Sequence, residues 1–199
     1  MTFVVFDTEY TSWKGCLENG RADWQKKEIV QLAALKVDEK LQVVDVFNVY
    51  IKPTINPVLS DYFICLTGIT NEKLDAEGIS FEDAYKGFVE FVGNDICYSH
   101  AWNDEANLAD GEVVEENLIY NKMTNAFSLS YQNIAPWFKK QYAIKNINIT
   151  KQCSGEIAKL LGLSAELDAL ELDTHNALYD VYSILLGLRF LGFSVTETS

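Results

Sequence analysis

The hydrophobic pattern begins with three short apolar runs, at residues 2–6, 29–37 and 43–51. Each run has the length and composition of a buried strand. The polar residues 38–40 between the second and third runs predict a hairpin turn, so we expect an antiparallel meander of three strands. A fourth short strand is predicted at residues 96–99.

Helical periodicity dominates the rest of the chain. A predicted amphipathic helix begins after Ser80 as its N-cap, and its apolar face consists of Phe81, Ala84, Phe88 and Val92. Further helices are predicted at residues 133–141 and 156–161, and a long final helix at residues 175–191. Strands followed by helices in this order predict a mixed α/β sheet covered by helices.

Length and composition favour a globular protein. The chain has 199 residues, of which 48% are hydrophobic and 13% aromatic, and we expect residues 1–199 to form a single domain. No stretch approaches the roughly 20 apolar residues that a membrane span needs, and no basic leader precedes the first apolar run. We therefore expect a cytoplasmic protein without a membrane partner, and we leave a homodimer open.

Charge and cysteine content narrow the functional classes. A formal net charge of −13 argues against tight binding along a duplex, which normally uses many Lys and Arg residues. The charge suits a protein that grips a strand end through metal ions, because bound cations reverse the sign of an acidic site. The four cysteines form no Cys-x-x-Cys pair, which argues against a zinc finger and predicts reduced thiols.

Two carboxylates follow the first apolar run. Asp7 and Glu9 are two residues apart, so their side chains lie on the same face of a strand. Paired carboxylate oxygens suit Mg²⁺ or Mn²⁺. The spacing alone is common in this sequence, and a solvated strand end is the alternative interpretation. Only this pair, however, directly follows a buried strand.

A histidine and an aspartate mark the start of the final helix. His175 and Asp180 are five residues apart and would not share a face of one regular helix, so we expect His175 in the entry turn and Asp180 about one turn inside. Asp173 or Thr174 is the expected N-cap. Asp180 lies in an otherwise apolar segment, where a buried carboxylate needs a cation or hydrogen bonds. A capping cluster on a surface helix is the alternative.

A further acid, Asp104, follows the fourth predicted strand. Considered alone, it is best explained as the start of a helix, which is a common structural role for Asp. His100 is interpreted as a strand-end residue without chemistry. A solvated helix face is predicted for the downstream acids Asp110, Glu112, Glu115 and Glu116.

In combination these residues resemble the DEDDh 3′–5′ exonucleases of the DnaQ-like, RNase H-like superfamily. Phe6-Asp7-Thr8-Glu9 matches the first motif, Asp104 matches the second, and His175 to Asp180 matches the third, His-x₄-Asp. Asn176 stands where the other subclass has tyrosine, which indicates the histidine subclass. The resemblance covers nearly the whole chain. It implies an RNase H-like five-stranded sheet, with a three-stranded antiparallel meander and further parallel strands, covered by helices.

The resemblance extends to one branch of that family, which contains histone-mRNA 3′ exonucleases and KapD-like sporulation inhibitors. It is carried there by residues 11–13, 57–63 and 66–70. The second motif departs from the branch, because Ser99-His100-Ala101 replaces its usual Ser-Trp-Gly. Members of this branch act mostly on RNA.

The family mechanism implies a role for each matched residue. Two Mg²⁺ or Mn²⁺ ions would be held by Asp7, Glu9, Asp104 and Asp180, with Asp7 bridging them, and His175 would take the proton from the attacking water. The family also implies substrate contacts from Thr67, Gly68 and Ile69. Trp13 is a candidate for stacking on a base, with packing inside its own loop as the alternative.

The sequence therefore predicts a metal-dependent 3′–5′ exonuclease. It would release nucleoside 5′-monophosphates from the 3′ end of single-stranded RNA in preference to DNA. One alternative is an enzyme for DNA proofreading or for very short oligonucleotides, which an acidic surface suits because few phosphates need neutralising. The other is a nucleic-acid-binding module that kept the scaffold without turnover.

Overall fold

A mixed five-stranded sheet forms the centre of the protein, as predicted. A computed structural model describes residues 2–16, 19–101, 110–123, 129–149 and 152–194. The strands are β1 (Thr2–Tyr10), β2 (Ile29–Asp38), β3 (Val43–Tyr50), β4 (Cys97–Ser99) and β5 (Tyr131–Asn133). Their spatial order is β3-β2-β1-β4-β5. The first three form the antiparallel meander, and β4 and β5 extend the sheet in parallel with β1.

Helices cover both faces of this sheet. They are α1 (Asp61–Thr67), α2 (Asn71–Glu77), α3 (Phe81–Val92), α4 (Asp110–Tyr120), α5 (Ala135–Ile144), α6 (Glu156–Leu160) and α7 (Ala177–Leu191), with short 3-10 helices at Ser164–Glu166 and Asp168–Leu170. Within the described ranges, no helix has both the length and the apolar content needed to cross a bilayer.

The alternation of side chains along β1 divides the core into two layers. Phe3 and Val5 belong to the layer formed with α5 and α7. Val4 and Phe6 belong to the layer formed with α3 and α4. Asp7 continues the odd-numbered series, so the end of β1 directs its first acid towards the layer that contains α7.

The long final helix packs closely on its neighbours. Gly187 of α7 lies against Ile157 and Phe138, and a Cβ at position 187 would overlap the Ile157 side chain. The backbone N–H of Ala158 in α6 donates to the Ser183 hydroxyl of α7 over 2.9 Å. These contacts hold α6 against α7 near its middle.

Several elements differ from the sequence prediction. The structure confirms α3 and its cap, because the Ser80 hydroxyl accepts from the Asp83 N–H over 3.1 Å. The helices α1 and α2 were absent from the predicted elements, and residue 133 lies in β5 rather than in a helix. The helix expected after Asp104 corresponds to α4. Both missed helices have only seven residues, and β5 has three, so each is too short for its periodicity to be distinctive.

Candidate active site

The carboxylates of β1 lie at the end of the strand, beside the start of α7. Asp7 is buried, with 5% of its surface exposed, and Glu9 is partly buried. In the ladder with β2, Asp7 pairs with Ala33 and Glu9 with Gln31. A small alanine opposite Asp7 leaves room above the sheet for side chains from other elements.

The first turn of α7 brings His175 and Asp180 to this point. The predicted caps, Asp173 and Thr174, are wrong: Asn176 caps the helix, since its side-chain oxygen accepts from the Leu178 N–H over 3.1 Å. His175 precedes the cap with a φ of 65°, a left-handed conformation that is uncommon for a residue other than glycine. This turn separates His175 from the regular helix and lets it share one site with Asp180.

Ser154 and Gly155, just before α6, form the surroundings of Asp180. The Ser154 hydroxyl donates to Asp180 Oδ2 over 3.0 Å. Gly155 lies so close that a Cβ there would overlap the carboxylate. The other oxygen, Asp180 Oδ1, is buried without a hydrogen-bond partner among the described residues. A buried carboxylate oxygen of this kind is stabilised by a bound cation or by protonation.

A fourth acid, Asp110, joins the cluster from the N-terminus of α4. Its Oδ1 accepts from the Thr8 N–H over 3.1 Å and from the Thr8 hydroxyl over 2.6 Å. Asp110 is 8% exposed, so the interpretation of this residue as part of a solvated face is wrong. Asp104, the predicted second-motif acid, lies outside the described residues.

The position of α4 is fixed by a buried asparagine two turns after Asp110. Asn117 Oδ1 accepts from the Ile29 N–H over 3.0 Å, and its Nδ2 donates to the Lys27 carbonyl over 2.7 Å. Ile29 is the first residue of β2, and Lys27 lies two residues before it. These bonds hold α4 against the sheet in the register that puts Asp110 beside Thr8.

Burial raises the pKa of every acid in this cluster, and acidic neighbours raise it further for Asp7, Glu9 and Asp180. Burial is the largest cause for each, and it raises the pKa of Asp180 to about 7 and that of Asp110 to about 6. The pKa values of Asp7 and Glu9 are also raised well above normal, by burial first and then by their acidic neighbours. Four crowded carboxylates cannot all stay ionised without positive charge between them.

The donor set fits divalent cations. Ligand atoms of Glu9, His175 and Asp180 lie within 4.8 Å of one another. With Asp7 and Asp110 alongside, the oxygen donors match the preference of Mg²⁺ or Mn²⁺. A bound cation would give Asp180 Oδ1 a partner and would lower the raised pKa values of the acids. The residues present therefore fit the predicted metal.

The histidines near the cluster are held neutral. Partial burial lowers the pKa of His175, although Glu156 and Asp173 act in the opposite direction. At neutral pH its imidazole can therefore accept a proton. His100 also lines the cleft, and burial lowers its pKa to about 4. Its ring packs edge-on against Phe138, with the ring centroids 5.4 Å apart.

The acids lie in a cleft of about 240 Å³ that is also lined by the end of β1, the segment after it and α1. These elements contribute Tyr10, Ser12, Cys16, Arg21, Tyr62 and Leu66. The N-cap of α1 is tied to the loop, because the Ser60 hydroxyl donates to the Ser12 carbonyl. Aromatic and apolar side chains next to an acidic floor suit a nucleotide with its base on one side and its phosphate at the acids.

The predicted substrate contacts Thr67, Gly68 and Ile69 are not among the residues that line this cleft. Ile69 is 1% exposed in a core cluster with Phe63 and Leu74, so its side chain is not available to a ligand. Thr67 donates its hydroxyl to the Phe63 carbonyl over 3.0 Å, and Gly68 forms the left-handed end of α1 with a φ of 70°. Among the described residues that line the cleft, α1 contributes Tyr62 and Leu66 instead.

Trp13, the predicted stacking residue, packs inside its own loop. Its ring meets Trp24 edge-on, with centroids 5.2 Å apart, and the Arg21 guanidinium lies 5.9 Å from its centroid. This arrangement favours the packing alternative over direct stacking on a base.

Comparison with known proteins agrees with this geometry. Residues 4–186 match the RNase_T family, described as exonuclease. A segment of 94 residues is 35% identical to the 3′–5′ exonuclease eri1 of Schizosaccharomyces pombe (strain 972 / ATCC 24843). That match covers 45% of this chain and 28% of the relative, so it spans less than a third of the relative's length.

Two solved structures share the fold. The nuclease domain of 3′hExo, a DEDDh family member bound to rAMP, has a TM-score of 0.65 at 19% identity and covers 96% of this chain and 90% of that one. E. coli Exonuclease I in complex with a dA16 oligonucleotide has a TM-score of 0.67 at 17% identity and covers 98% of this chain and 42% of that one. At these identities the likeness establishes the fold, and the RNase H-like prediction is confirmed.

Proposed function

Because the chain belongs to the RNase_T family of exonucleases, we propose that it is a divalent-metal-dependent 3′–5′ exonuclease. It releases nucleoside 5′-monophosphates from single-stranded nucleic acid. One observation carries this proposal: Asp7, Glu9, His175 and Asp180 come from opposite ends of the sequence and line a single cleft. A scaffold without turnover would not need to bury mutually repelling acids.

The proposed ion ligands are Asp7, Glu9, Asp180 and one acid from the segment after β4. Asp110 is the proposed fourth ligand, because Thr8 donates two hydrogen bonds to its carboxylate. Thr8 is the residue between Asp7 and Glu9 on β1. Asp104 stays the alternative from the motif resemblance. When bound, two such ions stabilise charge on the phosphodiester and lower the pKa of water.

His175 is the proposed general base. Its lowered pKa keeps it neutral near pH 7, so an imidazole nitrogen can take a proton from water. The water oxygen then bonds to phosphorus, the bond from phosphorus to the 3′ oxygen of the preceding nucleotide breaks, and a nucleoside 5′-monophosphate leaves. The left-handed turn at His175 orients the ring without placing it on a regular helical face.

RNA is the proposed substrate in preference to DNA. The proposal rests on the resemblance of residues 57–63 and 66–70 to the branch that contains histone-mRNA 3′ exonucleases and KapD-like sporulation inhibitors. The bound rAMP of 3′hExo agrees with it. DNA stays the second candidate, because the similar E. coli Exonuclease I is complexed with a dA16 oligonucleotide.

A time course on 5′-labelled single-stranded RNA and DNA tests the proposal. With Mg²⁺ or Mn²⁺ we expect a ladder that shortens by single nucleotides from the 3′ end, faster for RNA, and EDTA stops it. The Asp7→Ala variant serves as the inactive control. Shortening that survives EDTA or the Asp7→Ala change at the wild-type rate contradicts the proposal.

Three further expectations stay predictions. They are that residues 1–199 act as one exonuclease domain, that the protein works in the cytoplasm, and that a homodimer is possible. Size-exclusion chromatography with light scattering tests the last of them.

A further inference from the structure

One basic side chain lines the acidic cleft. Arg21, in the segment between β1 and β2, is the sole Lys or Arg among the described residues that form the cleft wall. The same wall includes Asp7, Glu9, Asp110 and Asp180. In a chain with a net charge of −13, a nucleic-acid strand is repelled by most of the surface, so a positive charge at this point has a large local effect.

Arg21 is held in place by the end of β1. Its Nη1 donates to the Thr11 carbonyl over 3.0 Å. Thr11 is itself fixed, because its N–H donates to the Glu28 carbonyl over 2.9 Å and its hydroxyl accepts from the Glu28 N–H over 3.0 Å. The guanidinium also lies 5.6 Å from the Tyr10 ring centroid and 5.9 Å from that of Trp13. These contacts restrict the side chain to one region of the cleft.

Within the described part of the chain, no acid forms an ion pair with Arg21. Among the described residues, no carboxylate lies within the 4 Å of an ion pair with Arg21. A guanidinium has five N–H donors in a planar fork, and the hydrogen bond to Thr11 occupies one of its nitrogens. The remaining donors match the geometry of a phosphate.

We infer that Arg21 binds a backbone phosphate upstream of the scissile one and thereby favours oligonucleotides over single-nucleotide esters. The inference rests on the proposed function. The scissile phosphate is drawn to the ions held by the acids, and no described carboxylate lies within ion-pair distance of Arg21. When the 3′-terminal nucleotide is cleaved, all phosphates except the scissile one lie upstream of it. The phosphate that Arg21 contacts is therefore an upstream one.

Two substrates separate this role from general catalysis. The p-nitrophenyl ester of thymidine 5′-monophosphate carries only the scissile phosphate, whereas a five-nucleotide RNA also carries upstream phosphates. In Arg21→Gln, where a donor to Thr11 is kept but the charge is lost, we expect KM for the RNA to rise roughly 10- to 100-fold. We expect kcat for the RNA, and both constants for the ester, to stay close to wild type.

Two variants complete the test. Lys14→Gln removes the same charge from an exposed position of the same loop and is expected to match wild type on both substrates. Arg21→Lys keeps the positive charge and is expected to retain most of the RNA affinity that Arg21→Gln loses. In Arg21→Gln the slope of log KM against log salt concentration is expected to fall by about one. Circular dichroism shows whether Arg21→Gln folds. If it does not, the slope of log KM against log salt concentration is compared between Arg21→Lys and wild type. An equal slope is expected if the charge of residue 21 contacts a phosphate.

Equal losses on the ester and the RNA would overturn the inference and assign Arg21 a structural role. Unchanged kinetics in Arg21→Gln would overturn it as well. Wild-type protein that cleaves neither substrate with Mg²⁺ or Mn²⁺ would instead overturn the proposed exonuclease function, and this inference with it.

Discussion

Gln31 on β2 holds Asn176, the residue that caps α7. Gln31 Nε2 donates to Asn176 Oδ1 over 3.2 Å, and Gln31 Oε1 accepts from the Ala177 N–H over 3.1 Å. Gln31 is fully buried and is the ladder partner of Glu9. One amide side chain of β2 thus fixes the helix that carries Asp180 relative to β1, the neighbouring strand that carries Asp7 and Glu9.

Replacing Gln31 tests this link. In Gln31→Ala the Ala177 N–H loses its acceptor and a buried space opens, so we expect the free energy of unfolding to fall by about 2–3 kcal/mol. We also expect kcat to fall, because the first turn of α7 is no longer tied to β2. Urea unfolding and oligonucleotide cleavage measure the two effects. The exposed Gln42, changed to Ala, is the control, and a Gln31 variant that behaves like it would contradict the link.

The identity of the fourth acid is directly testable. Asp110→Asn keeps the shape of the side chain and removes its charge, so we expect activity to fall at least 100-fold, since a ligand charge is lost. Asp104→Asn is expected to keep activity within about tenfold of wild type. Steady-state rates on labelled single-stranded RNA compare the two variants. The reverse ranking would assign the second motif to Asp104, as the sequence resemblance implies.

The close approach of Gly155 to Asp180 predicts a graded pair of variants. Ser154→Ala removes one hydrogen bond to Asp180 Oδ2 and is expected to weaken activity about tenfold. Gly155→Ala forces the carboxylate to move and is expected to cost more activity, with weaker Mn²⁺ binding in calorimetry. Gly162→Ala is the control, because nothing lies within 4 Å of a Cβ there, although its φ of 74° adds strain. Equal Mn²⁺ affinity in the Gly155 variant and wild type would contradict this account.

The raised acid pKa values predict how the stability of the metal-free protein depends on pH. The pKa of Asp180 is about 7 in the folded protein against an ordinary value of 3.8, so folding favours the protonated form. The stability from this group is fully present below pH 3.8 and is lost as the pH rises through about 7. In EDTA we therefore expect urea unfolding to show a loss of stability between about pH 4 and pH 7, and Mg²⁺ to restore more of it at pH 8.

Asp180→Asn isolates this effect. The variant lacks the titrating group, so we expect it to be more stable than wild type at pH 8 in EDTA by roughly 1–3 kcal/mol, yet inactive. Asp23→Asn removes one charge at an exposed site and controls for the general effect of the net charge. If Asp180→Asn is no more stable than Asp23→Asn, the carboxylate is not strained by burial.

Long periodic segments made much of the fold predictable. The three apolar runs gave β1 to β3, and the regular spacing around Phe88 gave α3 with its cap. The start of α7 was less well defined, because Asp173, Thr174 and Asn176 are all good caps by residue type. Only the tertiary hydrogen bond from Gln31 selects Asn176. Such long-range contacts leave no local pattern in the sequence.

The acids of β1 and α7 were predictable because they interrupt buried segments. Asp110 was not, because it begins a run of acids that looks solvated, and only the packing of α4 buries it against Thr8. Ile69 illustrates the limit of motif resemblance, since the resemblance did not indicate that this side chain lies in the core. No sequence pattern marked Ser154 and Gly155 as neighbours of Asp180. The sequence showed only that a buried Asp180 carboxylate needs a partner.

The central claim is that Asp7, Glu9, Asp110 and Asp180 form a cage for divalent cations. Crystals soaked in Mn²⁺, with anomalous scattering measured at the manganese edge, test it most directly. We predict anomalous peaks bounded by these four carboxylates, with an ion bound to Asp180 Oδ1. A well-ordered cleft without an anomalous peak at millimolar Mn²⁺ would contradict it.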